Sequence, residues 1–444
     1  MYDREEKKLA SLRQRLDTET LPLEQADAAI LQGMERAKRE KRMTRVRKKR
    51  TLWTLAAAAV LILAFATSIR VSPAFANAVA VIPGLEKFVE LIEQDKGLSG
   101  IFKNDYYQAI GASEQQGNHT LTIDGVILDG SGMNVYYTIE SSESLEDIQV
   151  KNARLKNTKE IPPYSMSLGG PHDGKSPNRY TDHIEFYFEE PMVFDDLAFG
   201  FELSATVSGE EVLFSVPFTV PEDIKPSLVF ALDEVAEIEG QKIIIEEVII
   251  HPLRAEINIS LDPTNSMKIL QFEDMRLEDE NGNVWGSMLN GFTSTGNLSE
   301  GTVSYLLQSN YFEQPGELYL RFNTVQALPV EEAFLVIDTE KGELISGPKD
   351  ARFSMEKADQ KEAIFALSGI EDEAHRYGLT TGIEDAEGKR FYPSSESMST
   401  PDNEIQWTVE FGTTDYTNPL RLELFAYPNR IKGDVKVELK NPRE

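Results

Sequence analysis

The chain has 444 residues, 45 Lys and Arg against 74 Asp and Glu, a net charge of −29 and no cysteine. The missing cysteines exclude disulfides, thiol catalysis and Cys-ligated zinc. The acidic balance argues against nucleic acid as a partner, because phosphate contacts need Lys and Arg. The charge is unevenly spread. Residues 1–50 hold 15 Lys and Arg and 9 Asp and Glu, a net of +6, which leaves −35 on the rest.

Residues 1–50 read as a cytoplasmic helical segment ending in a basic stop. Leu9, Leu12 and Leu16 stand at helical spacing, and Pro22 breaks the pattern. A second amphipathic helix carries Leu23, Ala26, Ile30 and Met34, a candidate partner-binding face that orders on contact. Ten basic residues follow between Arg36 and Arg50, ending in Arg45, Arg47, Lys48, Lys49 and Arg50.

Residues 52–69 are apolar except Thr54, Thr67 and Ser68. Eighteen residues at ~1.5 Å rise reach about 27 Å, enough to cross a hydrocarbon core. The basic run fixes the topology, with the N-terminus cytoplasmic and everything after Arg70 extracellular. Ala74-Phe75-Ala76 also resembles a signal-peptidase site, and cleavage there would release a secreted protein. The fifty-residue basic region and the length of the apolar run favour a retained single span in the lipid bilayer.

Residues 71–97 read as juxtamembrane helices. Leu85, Phe88, Val89 and Ile92 line one face, and Lys96-Gly97 suits a C-terminus. From about residue 118 the hydrophobic period changes to two. Leu121 and Ile123, then Val135, Tyr137 and Ile139, then Ile184, Phe186 and Phe188 alternate with residues expected to be wetted, among them Tyr136 and His183. The pattern repeats. Ile123, Val126, Val135, Arg154 and Leu155 match Ile245, Val248, Ile257, Arg276 and Leu277 at an offset of 122, and Phe199 and Phe201 match Leu320 and Phe322 at 121. Ile257, Ile259 and Leu261 match Ala363, Phe365 and Leu367 at 106. The fold class is therefore mainly β: tandem Ig-like antiparallel β-sandwich ectodomains over 98–222, 226–346 and 349–444.

No catalytic constellation stands out among the five histidines, and no residue set is assigned to a metal or cofactor. Asp279-Glu280-Asn281-Gly282-Asn283 faintly resembles a calcium loop, but its place between strands makes it a hairpin turn.

Several motifs carry a resemblance. They are Ser72-Pro73-Ala74-Phe75-Ala76, Ile82-Pro83-Gly84-Leu85, Asp95-Lys96-Gly97-Leu98, Leu121-Thr122-Ile123-Asp124-Gly125-Val126 and the strand Asn134 to Ile139. Together they resemble a Gram-positive single-span membrane family defined by a domain of unknown function. Its members are often described as anti-sigma factors paired with extracytoplasmic-function sigma factors. The resemblance covers about residues 20–140, with an Ig-like companion domain over 225–340. It implies that the Leu23–Ala37 helix holds a sigma factor through Ile30 and Met34, while the outer domains sense an unknown envelope ligand or protein. The His-x3-Cys-x2-Cys signature of zinc-binding anti-sigma domains is absent. The alternative is an envelope adhesion or scaffold protein with no signalling role.

Overall fold

The structure is a computed structural model that describes residues 3–18, 88–145, 148–158, 161–169, 177–221, 224–288, 294–297, 301–369, 378–400 and 404–440. The chain forms two compact units, Met1–Val71 and Ser72–Glu444. In the first, the leucine spacing forms a helix, Asp3–Thr18, with Leu9 and Leu12 exposed. The proposed partner face (Leu23, Ala26, Ile30, Met34), the basic stop, the apolar stretch 52–69 and Ala74–Ala76 all lie outside the described residues. Among the described residues no helix is long and apolar enough to cross a membrane.

The second unit is mainly β, built from antiparallel sheets packed face to face in pairs. In the first pair a five-stranded sheet runs Gln108–Gln116, His119–Asp129, Gly132–Ser141, Arg179–Phe188, Tyr164–Leu168. It faces a three-stranded sheet of Ile148–Asn157, Ala198–Val207 and Glu210–Thr219. Leu121, Val135, Phe186, Phe201 and Phe214 fill the space between them. The second pair sets Leu228–Ile238, Gln241–Ile250, Arg254–Leu261, Thr302–Gln308 and Ser294–Asn297 against a sheet centred on Leu318–Pro329. The third sets Phe353–Ala358, Glu362–Ser368, Glu404–Glu410 and Ser395–Ser399 against a sheet containing Phe334–Asp338 and Leu420–Ala426.

The sequence repeat is a repeat of ladder register. Val126 lies opposite Val135, and Val248 opposite Ile257. Each copy carries a β-bulge in the same strand. The extra residue is Asp124, Glu246 and Glu356 in turn, acidic each time because the bulge turns it away from the core. Leu155 pairs with Phe201 and Leu277 with Leu320, so Phe201 corresponds to Leu320 rather than to Phe322. The alignment at 121 is two residues off, a slip that period-two patterning hides because it keeps the same face.

The acidic Asp279 segment closes a hairpin. Asp279 Oδ1 accepts the N–H groups of Asn281 (2.9 Å) and Asn283 (2.7 Å), with Gly282 at φ +80°. Asp385 Oδ1 does the same for Glu387 and Lys389, both at 2.9 Å, with Gly388 at φ +82°. Only a residue tolerant of left-handed backbone suits that place.

Three expectations are corrected. Lys96-Gly97 opens a helix instead of ending one. Val89–Gln94 stops, Asp95 caps the next turn by accepting the N–H of Leu98 at 3.0 Å, and Lys96–Lys103 continues. The first β domain therefore starts at Gln108, not at 98. Second, Tyr136 and His183 are buried, not wetted, because the helices cover the outer face of the five-stranded sheet. Third, the last strand, Arg430–Leu439, leaves the third domain and pairs with Leu318–Pro329 of the second. Its Ile431, Val435, Val437 and Leu439 lie in the second domain's core.

Candidate functional site

The helical segment 88–103 sits where the first and second β domains meet. Phe88, Ile92, Leu98, Ile101 and Phe102 pack on Ile127 and Tyr136 of the first domain and Leu253 of the second. Burial of this aromatic and aliphatic surface drives the docking. Small residues let the helix approach closely. A Cβ on Gly97 would lie 2.8 Å from the backbone nitrogen of Ser309, and one on Gly100 would touch Phe312. Tyr106 then donates to the Leu128 carbonyl at 2.7 Å and accepts the N–H of Lys225 at 3.2 Å.

Charged groups are buried beneath this cover. The His183 ring stacks on Tyr136 at 5.6 Å and meets the edge of Phe88 at 5.0 Å. Its Nδ1 lies 3.6 Å from Asp182 Oδ1 and its Nε2 3.4 Å from Glu185 Oε1. Burial alone lowers the pKa of His183, but the two carboxylates outweigh it and raise the value to about 9. Glu185 is raised by burial and lowered more by His183, by the Tyr187 hydroxyl that donates to it and by Arg254, so its net shift is downward. Asp95 is pushed up to about 6, chiefly by burial and partly by Glu185, against the Leu98 bond.

The second domain contributes Arg254, whose guanidinium lies 4.0 Å over the Tyr187 ring and is 2% exposed. His251 joins it. Its Nδ1 is 2.6 Å from Ser227 Oγ, its Nε2 is 3.6 Å from Glu256, and its carbonyl accepts the Ser309 hydroxyl at 2.5 Å. Asp129 is fully buried and spans the two domains. Its Oδ1 accepts from Ser131 N and Oγ, and its Oδ2 from Leu253 N. Buried ion pairs of this kind pay for desolvation and are weak sources of stability. Their capacity is to fix one geometry of helix, first domain and second domain, and to make it respond to protonation.

A second feature is an open, polar cleft of about 1250 Å3 among loops of the third domain, lined by Thr339, Glu340, Gln360, Lys361, Ser394 and Glu410 among others. Lys357 at its rim is held by Asp359 (2.9 Å) and Glu362 (2.6 Å). Among the described residues no group of three or more His, Asp and Glu is arranged to hold a metal ion.

The sequence-predicted partner residues Leu23, Ala26, Ile30 and Met34 and the topology residues Arg45, Arg47, Lys48, Lys49 and Arg50 all lie outside the described residues. Sequence reasoning passed over Asp95, Asp129, Glu185 and Arg254, and placed His183 in water. One signal was available: Asp95 followed by Lys96-Gly97-Leu98 is a serviceable N-cap sequence. The others look like ordinary polar alternation along strands.

Comparison with known proteins gives two family matches. Residues 46–141 match a domain of unknown function (DUF4179), and residues 227–357 match a family of unknown function (DUF5643). The first match takes in the helical segment and the first strands, and the second covers the second domain's strands up to Leu318–Pro329 and the start of the third. No curated protein matches the chain. Among solved structures, "the crystal structure of the conserved domain protein from Bacillus anthracis" is 14% identical, with 54% of this chain and 84% of that chain covered and a TM-score of 0.38.

Proposed function

We propose that this chain is a membrane-anchored regulator of the anti-sigma-factor type, with an N-terminal segment that holds a sigma factor and Ig-like β-sandwich domains as an extracytoplasmic sensor or interaction region. The observation that supports it best is the burial of segment 88–103 between the first two β domains. Residues 70–87 join that segment to the apolar stretch 52–69 in the chain, so a rearrangement of the outer domains would be passed on toward the span. The basic run ending at Arg50 supports this reading, because Lys and Arg stay on the cytoplasmic side of a span. The exposed Leu9 and Leu12 give the N-terminal helix an apolar face to offer a partner.

The test is capture of a sigma factor by residues 1–50 in the intact protein, detected by affinity purification from cross-linked cells. Ile30→Asp with Met34→Asp is expected to abolish capture while membrane retention persists. Well-expressed bait that retrieves no sigma factor overturns the reading. The adhesion or scaffold alternative draws on the third domain's cleft, whose hydroxyl and carboxylate lining suits a polar ligand. It gains ground if that domain binds envelope material while residues 1–50 bind nothing.

A further inference from the structure

The three β domains share one core triplet. In the first, Phe201 stands between Leu155 and Val216. In the second, Leu320 stands between Leu277 and Val437. In the third, Leu422 stands between Ile383 and Leu335. All nine side chains are buried. The third member comes from a different place each time. In the first domain it lies on the hairpin neighbour, reached through Ser208 and Gly209, both at positive φ. In the second domain the next strand in sequence, Phe334–Asp338, does not fold back on Leu318–Pro329. It crosses to the third domain and pairs with Leu420–Ala426. The strand after Leu420–Ala426 is Arg430–Leu439, and it crosses back to Leu318–Pro329. Two hairpins have traded partners.

We propose that the edge of Leu318–Pro329 is a strand-binding site, occupied here by the chain's own C-terminal strand. The ligand it takes is an extended peptide with apolar residues at alternate positions. Main-chain pairing supplies affinity, and the pockets for alternate side chains supply selection. Val435, Val437 and Leu439 point into the core at the places held by Phe214, Val216 and Phe218 in the first domain. The outward residues are polar and partnered. Arg430 reaches Glu273 at 2.7 Å, Asp434 reaches Arg321 at 2.8 Å, and Lys436 lies 3.5 Å over the Tyr319 ring. Gly433 sets a further demand, since a Cβ there would lie 2.9 Å from Ile238 Cγ1. The second domain is thus incomplete until a strand of this pattern arrives, and the third domain is an insertion in its last hairpin.

The experiment uses the full chain carrying a protease-recognition sequence between Pro428 and Asn429, cut after folding. The C-terminal fragment is expected to stay bound, and to exchange one-to-one with a labelled synthetic peptide spanning Arg430–Lys440. A peptide with Val435→Asp and Val437→Asp is expected to compete at least 100-fold less well. Equal competition by the two peptides overturns the proposal. So does departure of the fragment with amide protection at 318–326 unchanged. A second measurement covers a nicked chain that unfolds. In the uncut chain, which has no native cysteine, Leu320→Cys with Val437→Cys should oxidise to an intrachain disulfide, as directly opposed strand residues can. Leu320→Cys with Leu335→Cys should not, and a disulfide there would show the local hairpin and sink the exchange.

Discussion

Asp129 Oδ2 accepts the backbone N–H of Leu253 at 2.6 Å, while its Oδ1 closes the turn at Ser131. One buried carboxylate thus finishes a hairpin of the first β domain and holds the second domain to it. The helical segment 88–103 docks against the surface that this bond helps to create.

Replacing Asp129 with Ala should loosen that junction. It leaves Ser131 N, Ser131 Oγ and Leu253 N without their acceptor, and bonds to a charged group contribute about 1.5–3 kcal/mol each. The expected loss is about 3 kcal/mol, since water will satisfy some of these donors. Hydrogen exchange should quicken around residues 253 and 131 before it quickens in the core strand Leu121–Val126.

Asp95 gives a pH dependence of unusual sign. Its carboxyl rises from an ordinary 3.8 to about 6 in the folded chain. A carboxyl with a raised folded-state pKa holds its proton more tightly when folded. It therefore favours the fold at acid pH, and that contribution is lost as pH rises from 3.8 to about 6. Above this window the buried carboxylate costs up to about 3 kcal/mol. Asp95→Asn keeps an N-capping oxygen and removes the charge. It should raise the urea midpoint at pH 8 and have little effect at pH 4; a lower midpoint at pH 8 would refute the argument.

His183 should remain an imidazolium at neutral pH. Its folded pKa is about 9, above the ordinary 6.5. The stability it contributes is complete below pH 6.5 and disappears as pH rises through 9. Ring-proton or nitrogen shifts of His183 in a titration will locate the transition. A transition below 7 would mean that burial outweighs the flanking carboxylates. His183→Gln should cost about 3 kcal/mol, because Glu185 keeps its burial and loses its charge partner.

Gly97→Ala should push the helix off the second domain. The added methyl meets the backbone of Ser309, which cannot swing away as a flexible side chain would. Overpacking of this kind costs about 1–3 kcal/mol. The measurable result is faster exchange in both Lys96–Lys103 and residues 309–312, with the sandwich core of the first domain unaffected.

Much of the β architecture was legible in the chain. Leu121, Ile123, Val135 and Ile139 alternate as one buried face requires, and the offset of 122 carried a true ladder register. What failed was the other face of the same strands. Tyr136 and Glu185 look wetted by alternation, yet both are buried, because helices distant in sequence cover them. Period two reports that two faces differ; it cannot report that both are covered.

The amino-acid order by itself determined local matters: the core-facing side of the strands and the Asx-closed turns at Asp279 and Asp385. Each depends on side chains a few residues apart. Only the tertiary structure decided which strand completes which domain and which charges share the buried junction. Leu320 accepts Val437 in place of Leu335, and Asp95 meets Glu185, across long stretches of chain. Such pairings are chosen by which apolar surfaces remain to be covered once the rest has folded, and strand patterning is the same for the strand that fits and the one that leaves.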